Sequence, residues 1–157
     1  MMKLIESSPH LLDEEMTILN SDSFFNRISK DKDNFTQEEI VAEIEDGKSM
    51  GAERFLIQDD GEYVGVLEYL MKNPNDGYTW LGLLQIRKDA QSSGYGRKVL
   101  ELFYDIMQQR EVGRFRLGVI AENEPGHRFW KRQGLLPIKS VVNQDNKTII
   151  VYEKELS

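Results

Sequence analysis

The sequence predicts an α+β (mixed α/β) domain: one mixed sheet with helices packed on both faces. Three observations point there. Strand-like segments fill the middle of the chain, a glycine-punctuated loop leads from one of them into a long amphipathic helix, and two apolar stretches close the chain as a hairpin. At 157 residues the chain suits one compact domain, residues 1–157, with a full hydrophobic core.

In chain order, "KLIE" (Lys3 to Glu6) reads as a short first strand. "SPHLLDEEMTIL" reads as a helix, with Ser8 as N-cap and Pro9 at its first position. "NSDSFFNRISKDKDN" is polar and turn-like apart from Phe24 and Phe25. "TQEEIVAEIEDG" is a helix: Thr36 and Glu39 form a capping-box pattern, Ile40, Val41 and Ile44 make its apolar face, and Gly47 supplies the stop.

Two strands follow, Glu53 to Gln58 and Tyr63 to Met71, around the hairpin signal Asp60-Gly61. After the turn "NPNDG", the run Tyr78 to Ile86 is apolar on both faces, which predicts a central strand. The next helix runs from about Gly96 to Arg110, with Val99, Leu100, Phe103, Ile106 and Met107 on one stripe. "RFRLGVI" (Arg114 to Ile120) is a strand, "EPGHRFWKRQG" a short helix closed by Gly134, and "IKSVVN" with "KTIIVYEKEL" the closing hairpin.

Charge narrows the functional classes. The chain holds 20 Lys+Arg against 27 Asp+Glu, a formal charge of −7, which disfavours nucleic acid and anionic lipid as partners and favours cations such as amines. No apolar run approaches the ~20 residues of a membrane helix, and the first residues lack a secretory pattern, so a cytoplasmic protein is expected. There is no cysteine, and His10 and His127 lie far apart in sequence; no metal site is expected.

The stretch "DAQSSGYGRKVLELF" (Asp89 to Phe103) is the most informative one. A strand, a loop with two glycines and a helix start together aim backbone N–H groups at the positive end of the helix, where an anion is stabilised. A tight strand-to-helix turn is the plain structural alternative. Two familiar phosphate loops do not fit: the dinucleotide fingerprint needs a third glycine where Val99 stands, and the G-x-x-x-x-G-K-[ST] loop is absent.

A third pattern does fit. Gln91, Gly94 and Gly96 resemble the Q/R-x-x-G-x-G/A loop of the GNAT superfamily of N-acetyltransferases, which follows the fourth strand and holds the pyrophosphate of acetyl-CoA. Farther on, "NEPGHRFWKRQGLLPI" resembles the family's N-x-x-A-x-x-F-Y-x-x-x-G-F stretch: Asn123, Phe129 and Gly134 match, while Gly126, Trp130 and Leu135 replace the usual alanine, tyrosine and phenylalanine. The resemblance covers essentially the whole chain. It implies a strongly twisted mixed sheet of six to seven strands, splayed between the fourth and fifth, with acetyl-CoA in the V between them.

The resemblance also implies site residues. Leu84, Gln85 and Ile86 would pair with the pantetheine arm, and the amides of Gln91, Ser92, Ser93, Gly94, Tyr95, Gly96 and Arg97 would meet the pyrophosphate. The Ser92 and Ser93 hydroxyls and the charge of Arg97, or of Lys98, would assist. Asn123 would lie near the pantetheine, and Phe129 would pack beside it as a core residue. Transfer to an amine needs a base, and the fourth strand carries no carboxylate; Glu68 and Glu122 are the candidates, each with an ordinary surface or structural role as the alternative. Tyr69 is a weaker option, and His127 reads as facing solvent.

Trp130 stands where relatives often place a proton-donating tyrosine, a departure that leaves the acid step without an evident donor. Phe24, Phe25 and Trp80 could line an acceptor pocket or simply be core. The reading is an acetyl-CoA-dependent N-acetyltransferase acting on a primary, cationic amine of a small molecule or peptide, with a homodimer open to it. The alternative is a non-catalytic acyl-CoA-binding module of the same fold.

Overall fold

The structure, a computed structural model, describes residues 1–156. Seven strands form one sheet: β1 (Met2–Glu6), β2 (Glu53–Asp59), β3 (Glu62–Leu70), β4 (Trp80–Ile86), β5 (Arg114–Ile120), β6 (Leu136–Val142) and β7 (Thr148–Glu155). Their spatial order is β1-β2-β3-β4-β5-β7-β6. Every neighbouring pair is antiparallel except β4 and β5, which run parallel and share one bridge, Trp80 with Arg116. The expected mixed sheet is present, at seven strands.

Five helices cover it: α1 (Leu12–Leu19), α2 (Ser23–Lys30), α3 (Gln37–Ser49), α4 (Tyr95–Gln109) and α5 (Glu124–Arg132). The α4 stripe forms as its spacing predicts; Val99, Leu100, Phe103 and Met107 are buried against Leu67, Tyr69, Phe115 and Leu117 on one sheet face. Ile18 and Leu19 of α1 and Ile40 of α3 cover Leu56 and Val66 on the other. Truncating an aromatic such as Phe103, which is fully buried, would cost about 3–5 kcal/mol. The Asp60-Gly61 turn forms as expected, with positive φ at both residues (50° and 83°).

Four local expectations are corrected. Ser8 makes no side-chain cap; Pro9–Leu11 is a single 3-10 turn, and α1 begins only at Leu12. The polar stretch after α1 is not all turn, because Asp22 caps α2 by accepting from the Phe25 N–H at 3.2 Å. The Thr36–Glu39 capping box forms, but α3 runs past Gly47 to Ser49, and the left-handed residue beyond it is Gly51. Gly47 instead gives room to a neighbour: a Cβ there would sit 2.7 Å from Glu68 Oε1.

The fourth correction concerns His127, which faces inward rather than toward solvent. Its Nδ1 lies 2.6 Å from the hydroxyl of the buried Tyr152, and its Nε2 lies 3.1 Å from the carbonyls of Ile120 and Ala121. Through these contacts the ring locks α5 onto β5 and β7.

Candidate active site

Beyond the Trp80–Arg116 bridge, β4 and β5 separate, and a cavity of about 740 Å³ occupies the V between them. The β4 edge facing it can be read from hydrogen bonding. Arg87 N–H donates to Val64 of β3 at 2.7 Å, and the Gln85 carbonyl also faces β3, against Gly65. Backbone groups alternate along an antiparallel strand, so Leu84 and Ile86 present theirs to the V, where no strand pairs with them. The Ile86 carbonyl accepts from Gln91 Nε2 at 3.0 Å. The Leu84 N–H and C=O and the Ile86 N–H therefore remain for a ligand. The expectation for Gln85 changes: it lines the cavity, but its backbone serves β3 and its side-chain amide donates to the Ile86 carbonyl at 3.3 Å.

The loop into α4 turns its amides the same way. Ser92 (φ 67°) and Gly94 (φ 82°) are both left-handed, and Gly94 is the N-cap of α4. Successive amides near such residues make an anion-binding concavity on the positive helix end. Gln91, Ser92, Gly94, Tyr95, Gly96 and Arg97 line the cavity; Ser93 is exposed and does not. The Gln91 side chain braces the loop, donating to Asp22 Oδ2 as well as to Ile86, both at 3.0 Å. The Tyr95 hydroxyl donates away from the loop to Asp59 at 2.8 Å. Of the two basic candidates, Arg97 lines the cavity, while Lys98 lies over the Tyr95 ring.

Lys88 and Arg132 also line this cavity, and sequence reasoning missed both. Arg132 sits within the second motif block, but only the docking of α5 brings it beside the loop. That docking depends on Gly96, where a Cβ would lie 3.0 Å from the Phe129 ring. Free β4 groups, a cradle of amides and three cations suit the pantetheine and phosphates of coenzyme A.

The second block is placed partly as expected. Asn123 and Trp130 both line the cavity, and Trp130 packs edge-on to Phe129 at 4.9 Å. Asn123 Oδ1 caps α5 by accepting from Gly126 N–H at 3.0 Å, so only its amide Nδ2 is left for a ligand. A Cβ at position 126 would collide with that Asn123 side chain, which accounts for glycine there.

The two carboxylate candidates part company. Glu122 is exposed and lies outside the cavity lining, so the structure does not bring it to the site. Glu68 does not line this cavity either, lining a smaller separate one instead, but it is mostly buried on β3 opposite Leu83, where β4 bulges and leaves Gly82 unpaired and exposed to the cavity. Glu68 Oε1 accepts from Arg54 Nη1 at 3.2 Å, while Oε2 lies 3.6 Å from the Cβ position of Gly82. Burial pushes the Glu68 carboxyl above its usual range; Arg54 opposes this, and the neighbouring Glu43 and Glu15 carboxylates add to it.

The remaining candidates divide. Tyr69 is core, its hydroxyl donating to Glu53 at 3.3 Å, and Trp80 donates through its indole to Asp76; neither lines the cavity. Phe24 and Phe25 do line it, from α2. Among the described residues no group of three or more His, Asp or Glu side chains is placed to hold a metal ion, and no helix is long and apolar enough to cross a membrane.

Comparison with known proteins bears on this geometry. The family described as "Acetyltransferase (GNAT) family" matches residues 14–135. A solved acetyltransferase from Thermus thermophilus is 25% identical, with a TM-score of 0.79 over 98% of this chain and 96% of that one. A spermidine N-acetyltransferase from Vibrio cholerae, solved with CoA and spermine, is 13% identical, with a TM-score of 0.76 over 99% and 95%. The ribosomal-protein-S18-alanine N-acetyltransferase of Escherichia coli is 15% identical, with a TM-score of 0.71 over 100% and 95%. A search of curated protein sequences found no match.

Proposed function

The chain belongs to the GNAT acetyltransferase family, and from that premise we propose that it transfers an acetyl group from acetyl-CoA to a primary amine of a small molecule or peptide. The observation that carries the reading is the unpaired β4 edge in the V, continuous with the amide cradle at the start of α4. Leu84 and Ile86 hold the pantetheine arm, with Asn123 Nδ2 opposite. Gln91, Ser92 and residues 94–97 hold the pyrophosphate, and Arg97, Lys88 and Arg132 supply positive charge.

Acetyl-CoA, when bound, supplies an activated thioester carbonyl. The chain's own tasks are to polarise that oxygen, which a β4 backbone N–H near Ile86 would do, and to take a proton from the ammonium or amine. Glu68 suits the second task. One oxygen is anchored on Arg54, the other is free beside Gly82, and its raised proton affinity moves it toward neutrality, where a general base works best. Because Glu68 stands behind the β4 bulge and outside the cavity lining, this reading requires a water at Gly82 to relay the proton. We place the protein in the cytoplasm, a location that fits its lack of cysteine.

Free-thiol release from acetyl-CoA, measured across a panel of amines, amino acids and peptides, tests this. Amine-dependent release is expected, lost by at least about 10²-fold in Glu68→Gln. Because Glu68 must be ionised to act, wild-type turnover should rise with pH through a limb set above the ordinary carboxylate range. Coenzyme A binding without amine-dependent release would favour the acyl-CoA-binding module, the reading that Trp130 motivates by offering no transferable proton.

A further inference from the structure

The charged groups of the large cavity fall into two sets. Lys88, Arg97 and Arg132 gather around the amide loop and α5. The rest of the lining includes Phe24, Phe25, Ser29 and Lys30 of α2, Glu43 of α3 and Asn143 of the β6–β7 turn; α2 starts beside the amide loop, where Asp22 accepts from Gln91, and runs away from it. Phosphates take the first end, so the second receives the acceptor.

At that end most charges already have partners. The Asp22 oxygens accept from Phe25 N–H and Gln91 Nε2, and Lys30 pairs with Asp145 at 2.7 Å. Glu43 differs. It is 54% exposed, and its contact with Arg54 Nη2, at 3.4 Å, is the longest of the three that this guanidinium makes. Arg54 is committed first to the buried Glu15 at 2.7 Å and to Glu68 at 3.2 Å. Three carboxylates thus share one cation. The other charges near this cluster do not settle the imbalance: Glu6, Lys48 and Glu53 line a separate cavity of about 330 Å³ together with Arg54 and Glu68, and Glu53 is held by Arg110 at 2.6 Å.

Two further features of the same wall fit a cationic, aliphatic ligand. Ser29 lines the cavity, and its Oγ, buried in this structure, has no hydrogen-bond partner in the protein. Phe24, 46% exposed, offers a ring face to methylene groups or to a cation. A reacting amine must give up its proton, so it cannot also neutralise Glu43. We propose that Glu43 holds a second positive charge of the acceptor, making the substrate a linear diamine or polyamine rather than a monoamine. This rests on the amine-transfer reading above and narrows it.

The test compares diamines with monoamines of equal carbon number, in wild type and in Glu43→Gln. With acetyl-CoA saturating, wild type should favour the diamine by about tenfold or more in kcat/KM, chiefly through KM, as expected for one charge-assisted hydrogen bond. Glu43→Gln should collapse that ratio toward one, and Glu43→Asp should restore part of it. Calorimetry of the same amines against the coenzyme A-bound protein reads the inference without chemistry. Diamine binding that exceeds monoamine binding and depends on Glu43 supports it even if no thiol is released, an outcome that would defeat only the transfer reading. Equal binding of both amines, or a preference that survives Glu43→Gln, overturns it.

Discussion

Trp130 is where single-residue chemistry most directly decides the mechanism. The indole lines the cavity and packs against Phe129; in the proposed function it stands beside the departing sulfur of acetyl-CoA. A phenol there could donate a proton, whereas an indole N–H can only donate a weak hydrogen bond. Trp130→Tyr should keep coenzyme A binding and raise turnover, by up to about 10²-fold where thiolate departure limits the rate. Steady-state rates and melting temperature on one preparation check this; a lower melting temperature with no gain in rate would make Trp130 a packing residue. Legibility at this scale is uneven. Gln91, Gly94, Gly96 and Asn123 stand out because their spacing in sequence is their spacing in the motif. Arg132, Lys88 and Glu43 do not, because only tertiary docking brings α5, the β4 terminus and α3 around one cavity. His127 reads as solvent-facing for the same reason: its partner, Tyr152, is 25 residues away.

At the scale of elements, the amide loop is readable and α2 is not. Helix α2 has eight residues and a polar composition, too short for periodicity to declare itself; its one usable signal is Asp22, three residues before the N–H it caps. The loop declares itself through glycine, and the structure refines the reason. A Cβ at Gly94 would meet nothing within 4 Å, so the protein itself does not exclude a side chain; the constraint is φ of 82°. A β-branched residue is strained there by about 1–2 kcal/mol, and relief requires turning the amides away from the cavity. Gly94→Val should therefore weaken coenzyme A binding by about tenfold or more, whereas Gly94→Asn, which tolerates the left-handed region, should lose less. Calorimetry on folded variants decides, and an unchanged affinity in Gly94→Val would remove the cradle from the account.

For the whole molecule, periodicity predicts the layers and most strands, but the divergence of β4 from β5 comes only through the family resemblance. No residue pattern announces a missing ladder, since β4 and β5 are both apolar enough to pair. The consequence is mechanical. Among the described residues the sheet is continuous across the V only at Trp80–Arg116 and the adjoining Arg116 N–H to Thr79 carbonyl bond of 2.9 Å. The sides also meet through packing, with Phe103 edge-on to Phe115 at 5.0 Å and Phe129 against Gly96, through Arg116, which lies over the Tyr78 ring and pairs with Asp76 at 3.5 Å, and through the solvent-accessible pairs Lys30–Asp145 and Lys147–Asp31. Such ion pairs contribute little each. A ligand that pairs with β4, sits on the α4 cradle and reaches Arg132 ties both sides together and binds only the folded chain. At a hundredfold excess over its Kd, coenzyme A should then add about 2.7 kcal/mol. For a domain of this size that is a rise of roughly 5–10 °C in melting temperature. The rise should be much smaller at the same concentration in Gly94→Val, and a wild-type melting temperature that stays fixed under saturating coenzyme A would mean that the V does not hold the cofactor.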